Sequence, residues 1–396
     1  MSYVKVQSPT KTRFINKLFL IGNGFDLALG LKTSYNDFLL WILKENIIKA
    51  INSGGKQFAP FPKYKGRYDE FLRENTQRTV YGYSTNNIFD ILLSKSYHLD
   101  KSKLEKTSDL YNLFDFCKTY GVEIVTENKE GIFSNILNDS SFGWVDIEGI
   151  YFKFIKEILN ENNKRIPLEY IDILNDEFEM IIFELKRYLK TINTDIAKDN
   201  AILHLNHFDN PITEKEILES DNSKIKTNLN YFLNFNYTDS LKNVLKYSKI
   251  KNTVNHIHGE LSNLNGSIVF GFGDEMDSIY RELEELNDNR FFKYIKSFQY
   301  FKSENYRELL RFLNANEYQV CIYGHSCGLS DRIMLNEIFE HENCKSIKIY
   351  FYQNDLGETD FTNKTMEISR HFNSNKIMRT KIVNENSLNT IPQVSI

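Results

Sequence analysis

The sequence predicts an α/β protein: a parallel sheet flanked by helices and interrupted by a mainly helical insertion. Three observations carry this. Apolar runs of strand length recur at residues 18–21, 231–235, 318–323 and 346–352. Helical periodicity fills intervals between them, as at 330–341, and such alternation marks a parallel core. Glycine-rich or polar loops directly follow several runs, where α/β sheets place their ligands.

In chain order, residues 1–17 read as a polar leader. LFLI (18–21) reads as a buried strand, followed by Gly22, Gly24, Asp26 and Gly30. A dinucleotide fingerprint would need glycine where Leu27 stands. Glycines at a strand end still let backbone N–H groups approach a phosphate, or simply serve a sharp β–turn–α connection. From this loop alone the two readings stand equal. Ser34 with Asp37 forms a capping-box variant before the apolar face of Phe38, Leu39 and Ile42. Residues 52–142 read as irregular, punctuated by SGG, PFP and STNN. Amphipathic helices are expected at about 145–160 and 167–191, with Pro167 at the first position of the second. Residues 206–228 are polar. Strands are then expected at 231–235, 253–258, 267–272, 318–323 and 346–352. Two charged helices fill about 275–315, and others fall at 330–341 and near 362–373. The plan is a core from 14–50 and 229–375, an insertion at 51–228 and a C-terminal tail at 376–396.

Composition narrows the class. The chain has 396 residues, 41% apolar and 26% charged, with a net charge of −4, which argues against nucleic acid as the main partner. Its four cysteines, Cys117, Cys321, Cys327 and Cys344, form no C-x-x-C pair; three sit near apolar runs and read as buried thiols, and a reducing cytosol is the simplest compartment. No apolar run reaches the length of a membrane span, and 18–21 is too short for a signal-peptide core. A cytoplasmic location is expected.

Chemistry-bearing residues cluster at strand ends. Asn236 closes the 231–235 run, and Asp239 or Ser240 can cap the helix that follows. YGHSCGLSD (323–331) follows the next strand, with Ser330 or Asp331 as the cap of its helix. In HIHG (256–259), His256 and His258 face the same side on alternating geometry. No ligand-spaced Cys, Asp or His accompanies them, and His204 and His207 are similarly bare, so no metal is predicted. His258 gains weight from Gly259 and from Asn236 one strand earlier. GHSCG also matches the G-x-S-x-G nucleophile elbow, with Asp355 or Asp360 and then His371 available for a triad. An elbow, however, starts its helix at the serine, whereas Gly328 intervenes here. Asp146 and Glu148 in WVDIEG read as dipole partners near a helix start.

Taken together, GNGFDLALGLKTSYNDF, WVDIEG, NFNYT, HIHG, FGFGDE and GHSCGLSDRIMLNEIFEHENCKSIKIYFY resemble the abortive-infection AbiH family of bacterial antiphage proteins. More distantly they resemble the sirtuin-like, Rossmann-like NAD-binding fold. Gly22, Gly24 and Gly30 fall at the three glycines of its G-A-G-x-S-x-x-S-G-I-P-S loop, Leu31 at its isoleucine and Thr33 at its last serine. Lys32 replaces the proline, Asp26 the first serine, and Thr238 the acid of T-T-N-Y-D. The resemblance implies NAD as substrate. It implies binding by Gly22, Asn23, Gly24, Phe25, Gly30, Thr33, Gly324, His325 and Ser326. It also implies catalysis by Asn236, His258 and Asp26, with His258 as general base and water as acceptor. NAD depletion on infection would follow. The absence of a zinc-ribbon cysteine quartet disfavours deacylation. The alternatives are another nucleotide hydrolase, a non-catalytic nucleotide-binding defence sensor, or, at GHSCG, a serine esterase. A phage-derived or host trigger is the expected partner, and the insertion is the expected seat of regulation or self-association.

Overall fold

The computed structural model describes residues 12–52, 81–84, 89–93, 101–126, 132–138, 144–159, 168–219, 223–261, 268–273, 275, 277 and 279–394. Its strands, in chain order, are β1 (Thr12–Phe14), β2 (Asn16–Ile21), β3 (Tyr81–Ser84), β4 (Phe89–Leu93) and β5 (Val122–Thr126). There follow β6 (Lys224–Lys226), β7 (Asn230–Asn234), β8 (Asn252–His256), β9 (Tyr318–Tyr323) and β10 (Cys344–Tyr350). The chain divides into two compact units: Met1–Lys32, Ile192–Asn287 and Tyr294–Ile396 form the first, Thr33–Thr191 and Asp288–Lys293 the second.

The first unit is α/β, as expected. Its five-stranded sheet has the order β10-β9-β2-β7-β8, and every pairing is parallel. The chain starts in the centre at β2, moves outward through β7 and β8, then returns to the other side of β2 for β9 and β10. Strand order therefore reverses between β2 and β9, the position at which doubly wound sheets open a ligand crevice. Both sheet faces are covered, which explains why the strands read as unbroken apolar runs. Leu18, Leu20, Leu233, Val320, Ile322 and Ile347 pack on one face against Leu313, Leu335 and Phe339. Phe19, Ile21, Phe232 and Tyr323 pack on the other against Phe25, Leu205, Phe208 and Leu241. The helix Lys198–Asp209 supplies Leu205 and Phe208, so it belongs to this unit and not to an insertion ending at 228.

Four other expectations are corrected. Residues 12–17 are not a plain leader: β1 pairs with β6, and β2 starts at Asn16. Among residues 267–272, the described ones, 268–272, form no ladder strand. They make an extended segment with a single bridge, Phe272 to Ile295. A Cβ on Gly271 would lie 2.0 Å from the Tyr294 carbonyl oxygen, so glycine here serves close backbone approach. Residues 376–394 are not a separate tail. Val383 N–H donates to Ile347 O (2.9 Å), Ile391 N–H to Phe351 O (2.8 Å) and Val394 N–H to Ala28 O (2.9 Å). Finally, the helix Tyr35–Asn52 falls in the second unit, not in the core.

The second unit holds the antiparallel sheet β3-β4-β5 and the helices Leu110–Tyr120, Trp144–Leu159 and Tyr170–Leu189. Residues 81–126 thus contain regular structure where the sequence reads as irregular. The capping box forms as read: Asp37 N–H donates to Ser34 Oγ (3.1 Å) and Ser34 N–H to Asp37 Oδ2 (3.2 Å). SGG, PFP and Pro167 lie outside the described residues.

Candidate functional site

The loops after β2 and β9 meet at the point of reversal. Gly22 N–H donates to Tyr323 O (3.2 Å) and Gly24 N–H to Gly324 O (2.9 Å). A Cβ on Gly22 would lie 2.6 Å from His325 Cα, and one on Gly24 would lie 2.9 Å from Gly324 Cα. On Gly324, whose φ is +75°, it would lie 2.2 Å from Phe25 N. These glycines let two backbones touch. The N–H groups of Gly22 and Gly24, expected to face a phosphate, are spent on the β9 loop. The helix that follows is short, Asn23–Ala28, and starts directly after Gly22 rather than at Ser34. Gly30, at φ 78°, turns the chain out of that helix, its N–H donating to Leu27 O at 2.9 Å.

Asp26 sits on this helix, 1% exposed. Its Oδ2 accepts from Thr238 Oγ1 (2.7 Å), and its Oδ1 accepts from Ser240 Oγ. Burial pushes its carboxyl up to about 6, against the pull of these hydroxyls and of Asn236. Asn236 donates from its side-chain amide to Gly22 O (3.0 Å), while its N–H donates to Asn234 Oδ1 (3.2 Å). Asp26 and Asn236 therefore brace the glycine loop against the β7 loop. Ser240 does not cap its helix through its side chain, and neither does Asp239. Thr238, the departure from the resembled motif, is a hydrogen-bond donor to Asp26.

A second polar cluster was not anticipated. Asp331 stands at the N-cap position of Arg332–Glu340 but makes no side-chain cap bond. Its Oδ1 lies 2.9 Å from Lys296 Nζ and 3.2 Å from His258 Nε2, and its Oδ2 lies 3.7 Å from His325 Nε2. All four side chains are buried. Burial alone would raise the Asp331 carboxyl, but the Lys296 cation, with the hydrogen bond from His258 beside it, outweighs burial and holds it well below the carboxylate range. Burial lowers His325 to about 3, so its ring is neutral. His325 Nδ1 accepts the Cys327 N–H at 3.0 Å, which places its proton on Nε2. His258 Nε2 also lies 3.2 Å from the Tyr300 hydroxyl, and the ring lies edge-on to Phe235. The FGFG segment assembles the cluster: Val269 N–H donates to His258 O (2.9 Å) and Lys296 N–H to Phe272 O (2.9 Å). Gly273 fits beside Ser330 O and Lys296 Cβ, 3.1 and 3.2 Å from where its own Cβ would stand. In the sequence Asp331 stands out only as a helix cap.

Other candidates separate. His256 and His258 take different partners, because β8 ends at His256: its Nε2 pairs with Glu260 (2.8 Å) and its Nδ1 faces Asn234 (3.3 Å). His204 and His207 both face a tyrosine. Their Nδ1 atoms lie 2.8 and 3.4 Å from the Tyr323 hydroxyl, and burial lowers both to about 4. Ser326 is exposed, whereas His371 is buried with Nε2 against Cys327 O (2.7 Å), so GHSCG makes no serine–histidine pair. The helix after it starts at Arg332, not at the serine. Asp360 Oδ1 accepts from Tyr352 N–H (2.7 Å). Thr33 is buried and belongs to the second unit, as does buried Glu148. Among the described residues, no group of three or more His, Cys, Asp or Glu is placed to hold a metal ion. None of their helices is long and apolar enough to cross a membrane.

A doubly wound parallel sheet with polar clusters at the carboxyl ends of its strands places those side chains where α/β sheets hold their ligands. Residues 18–353 match the family model described as bacteriophage abortive infection AbiH, and the chain belongs to that family. A Plasmodium falciparum (isolate 3D7) protein, PFC0760c, is 24% identical over 252 residues, which is 63% of this chain and 6% of that protein. The chain thus spans a small fraction of the curated relative it matches. No solved structure matches.

Proposed function

We propose that this protein hydrolyses the nicotinamide–ribose bond of NAD and depletes the nucleotide in the cytoplasm of infected cells, on a sirtuin-like core. The observation that carries this is the position of His258. It follows β8 at the carboxyl edge of the sheet, with Nε2 engaged by Asp331 and Tyr300 and Nδ1 without a hydrogen-bond partner among the described residues. In the reaction, water attacks the anomeric carbon of the ribose. The carbon–nitrogen bond breaks, its electron pair neutralises the nicotinamide ring, and the water proton passes to His258. Asn236 and Asp26 act at one remove, holding Gly22 and the β7 loop in place. In this reading Gly22 and Gly24 set the loop's shape, since their own N–H groups bond the β9 loop.

Incubation with NAD, NADP, ATP and GTP, followed by proton NMR with and without extract of phage-infected cells, tests the proposal. Wild type should release nicotinamide, and His258→Ala should be slower by about 10²–10⁴-fold, the usual contribution of a general base. Consumption of ATP or GTP with NAD intact would instead make the protein another nucleotide hydrolase. NAD binding without turnover would make it a sensor.

A further inference from the structure

We propose that Asp331, anchored by Lys296, is the positioning residue for His258: it accepts the Nε2 proton and thereby makes Nδ1 the basic nitrogen. This rests on the reading of His258 as a general base. A neutral imidazole carries its proton on one nitrogen only, and the bond made by that nitrogen selects which. Asp331 Oδ1 lies 3.2 Å from His258 Nε2, whereas Nδ1 has no hydrogen-bonded neighbour among the described residues. The same oxygen lies 2.9 Å from Lys296 Nζ. A lysine cation on that oxygen makes the carboxylate a poorer proton acceptor, so the proton stays on the ring. His325 adds its Nε2–H toward the other oxygen, 3.7 Å away. Tyr300 places its hydroxyl 3.2 Å from the same nitrogen, and Tyr237 stacks against the ring with centroids 6.4 Å apart.

The arrangement is costly unless it has a use. Asp331 forgoes the cap bond its position offers, and Lys296 is buried to 1% exposure. Residues Phe270 to Gly273, Lys296 and the Leu329–Asp331 turn converge to build it. Together they hold one ring in one orientation.

Long-range proton–nitrogen NMR correlation on the wild-type protein decides the matter, with His258→Gln used to assign the ring. The expected result is a neutral His258 protonated at Nε2. A ring protonated at Nδ1 overturns the proposal. Asp331→Asn should erode the tautomer preference and slow nicotinamide release by about 10- to 10²-fold, within the range a general base supplies. Asp331→Glu should recover part of both. Should Asp331→Asn fold poorly, the double variant Asp331→Asn/Lys296→Met leaves no lone buried charge and serves instead. An unchanged tautomer in the folded variant also overturns the proposal. The two readings fail separately: an Nε2 proton without nicotinamide release supports the positioning role and sinks the NAD reaction, and nicotinamide release with an Nδ1 proton does the reverse.

Discussion

Asp26 and Asp331 are both buried at the carboxyl edge of one sheet, yet their surroundings drive them in opposite directions. Among the described residues Asp26 meets neutral partners, Thr238, Ser240 and Asn236, and burial raises it to about 6. Asp331 meets burial too, but the Lys296 cation and the hydrogen bond from His258 hold it well down. Hydroxyls satisfy lone pairs without supplying charge, whereas an ammonium group supplies it. The same residue type is therefore a brace in one cluster and a fixed anion in the other.

The largest expected effect comes from Asp331→Asn. It strands the Lys296 charge in the interior and should cost about 3–5 kcal/mol in denaturant unfolding. Adding Lys296→Met should restore most of that, and a loss below about 1 kcal/mol would mean that the pair is not a buried ion pair.

Gly324→Ala tests the junction that ties the Asp26 helix to the loop carrying His325. With φ at +75° and Phe25 N 2.2 Å from the new Cβ, it should be strongly destabilising. Strain and overpacking together suggest about 3 kcal/mol. A stable Gly324→Ala protein would show that the two loops do not need their close contact. Gly24→Val tests the same junction, since a Cβ there would lie 2.9 Å from Gly324 Cα.

The pH dependence separates the carboxylates by sign. A raised folded pKa means that the stability Asp26 contributes is present below its unfolded value and lost as pH rises toward about 6. From an unfolded value near 4, that is about 3 kcal/mol. For Asp331 the depressed folded pKa gives the opposite: stability present above about 4 and lost as the solution becomes more acidic. Lowered His204, His207 and His325 also lose stability as pH falls below about 6.5, so the Asp26 effect must be read as a difference. Unfolding of Asp26→Asn against wild type should show the variant gaining relative stability between about pH 4 and pH 7. A constant difference would refute the raised carboxyl. Thr238→Val is the smallest change: losing one hydrogen bond to Asp26 should cost about 1–2 kcal/mol.

The sheet was legible because β2, β7, β9 and β10 are buried on both faces and leave almost unbroken apolar runs. The sheet β3-β4-β5 was not. Phe89, Ile91 and Leu93 do alternate inward, but the strand is only five residues long and surrounded by loop-forming sequence. At the site, Asn236 and His258 stood out through their loops, and Asp26 through its place among glycines. Their partners were hidden. Asp331 occupies a position where aspartate ordinarily caps a helix, and Lys296 lies in a stretch of unremarkable charge. Only the folded chain brings them to His258. The glycines were legible as conformational devices, but not the surface they face, since a backbone serving a phosphate and one serving a neighbouring loop have the same composition.

NAD content in phage-infected cells carrying either wild type or His258→Ala tests the central claim most directly. NAD should collapse after infection in wild-type cells alone, together with the loss of phage yield. Protection without a fall in NAD, or an equal fall in His258→Ala cells, would contradict the account.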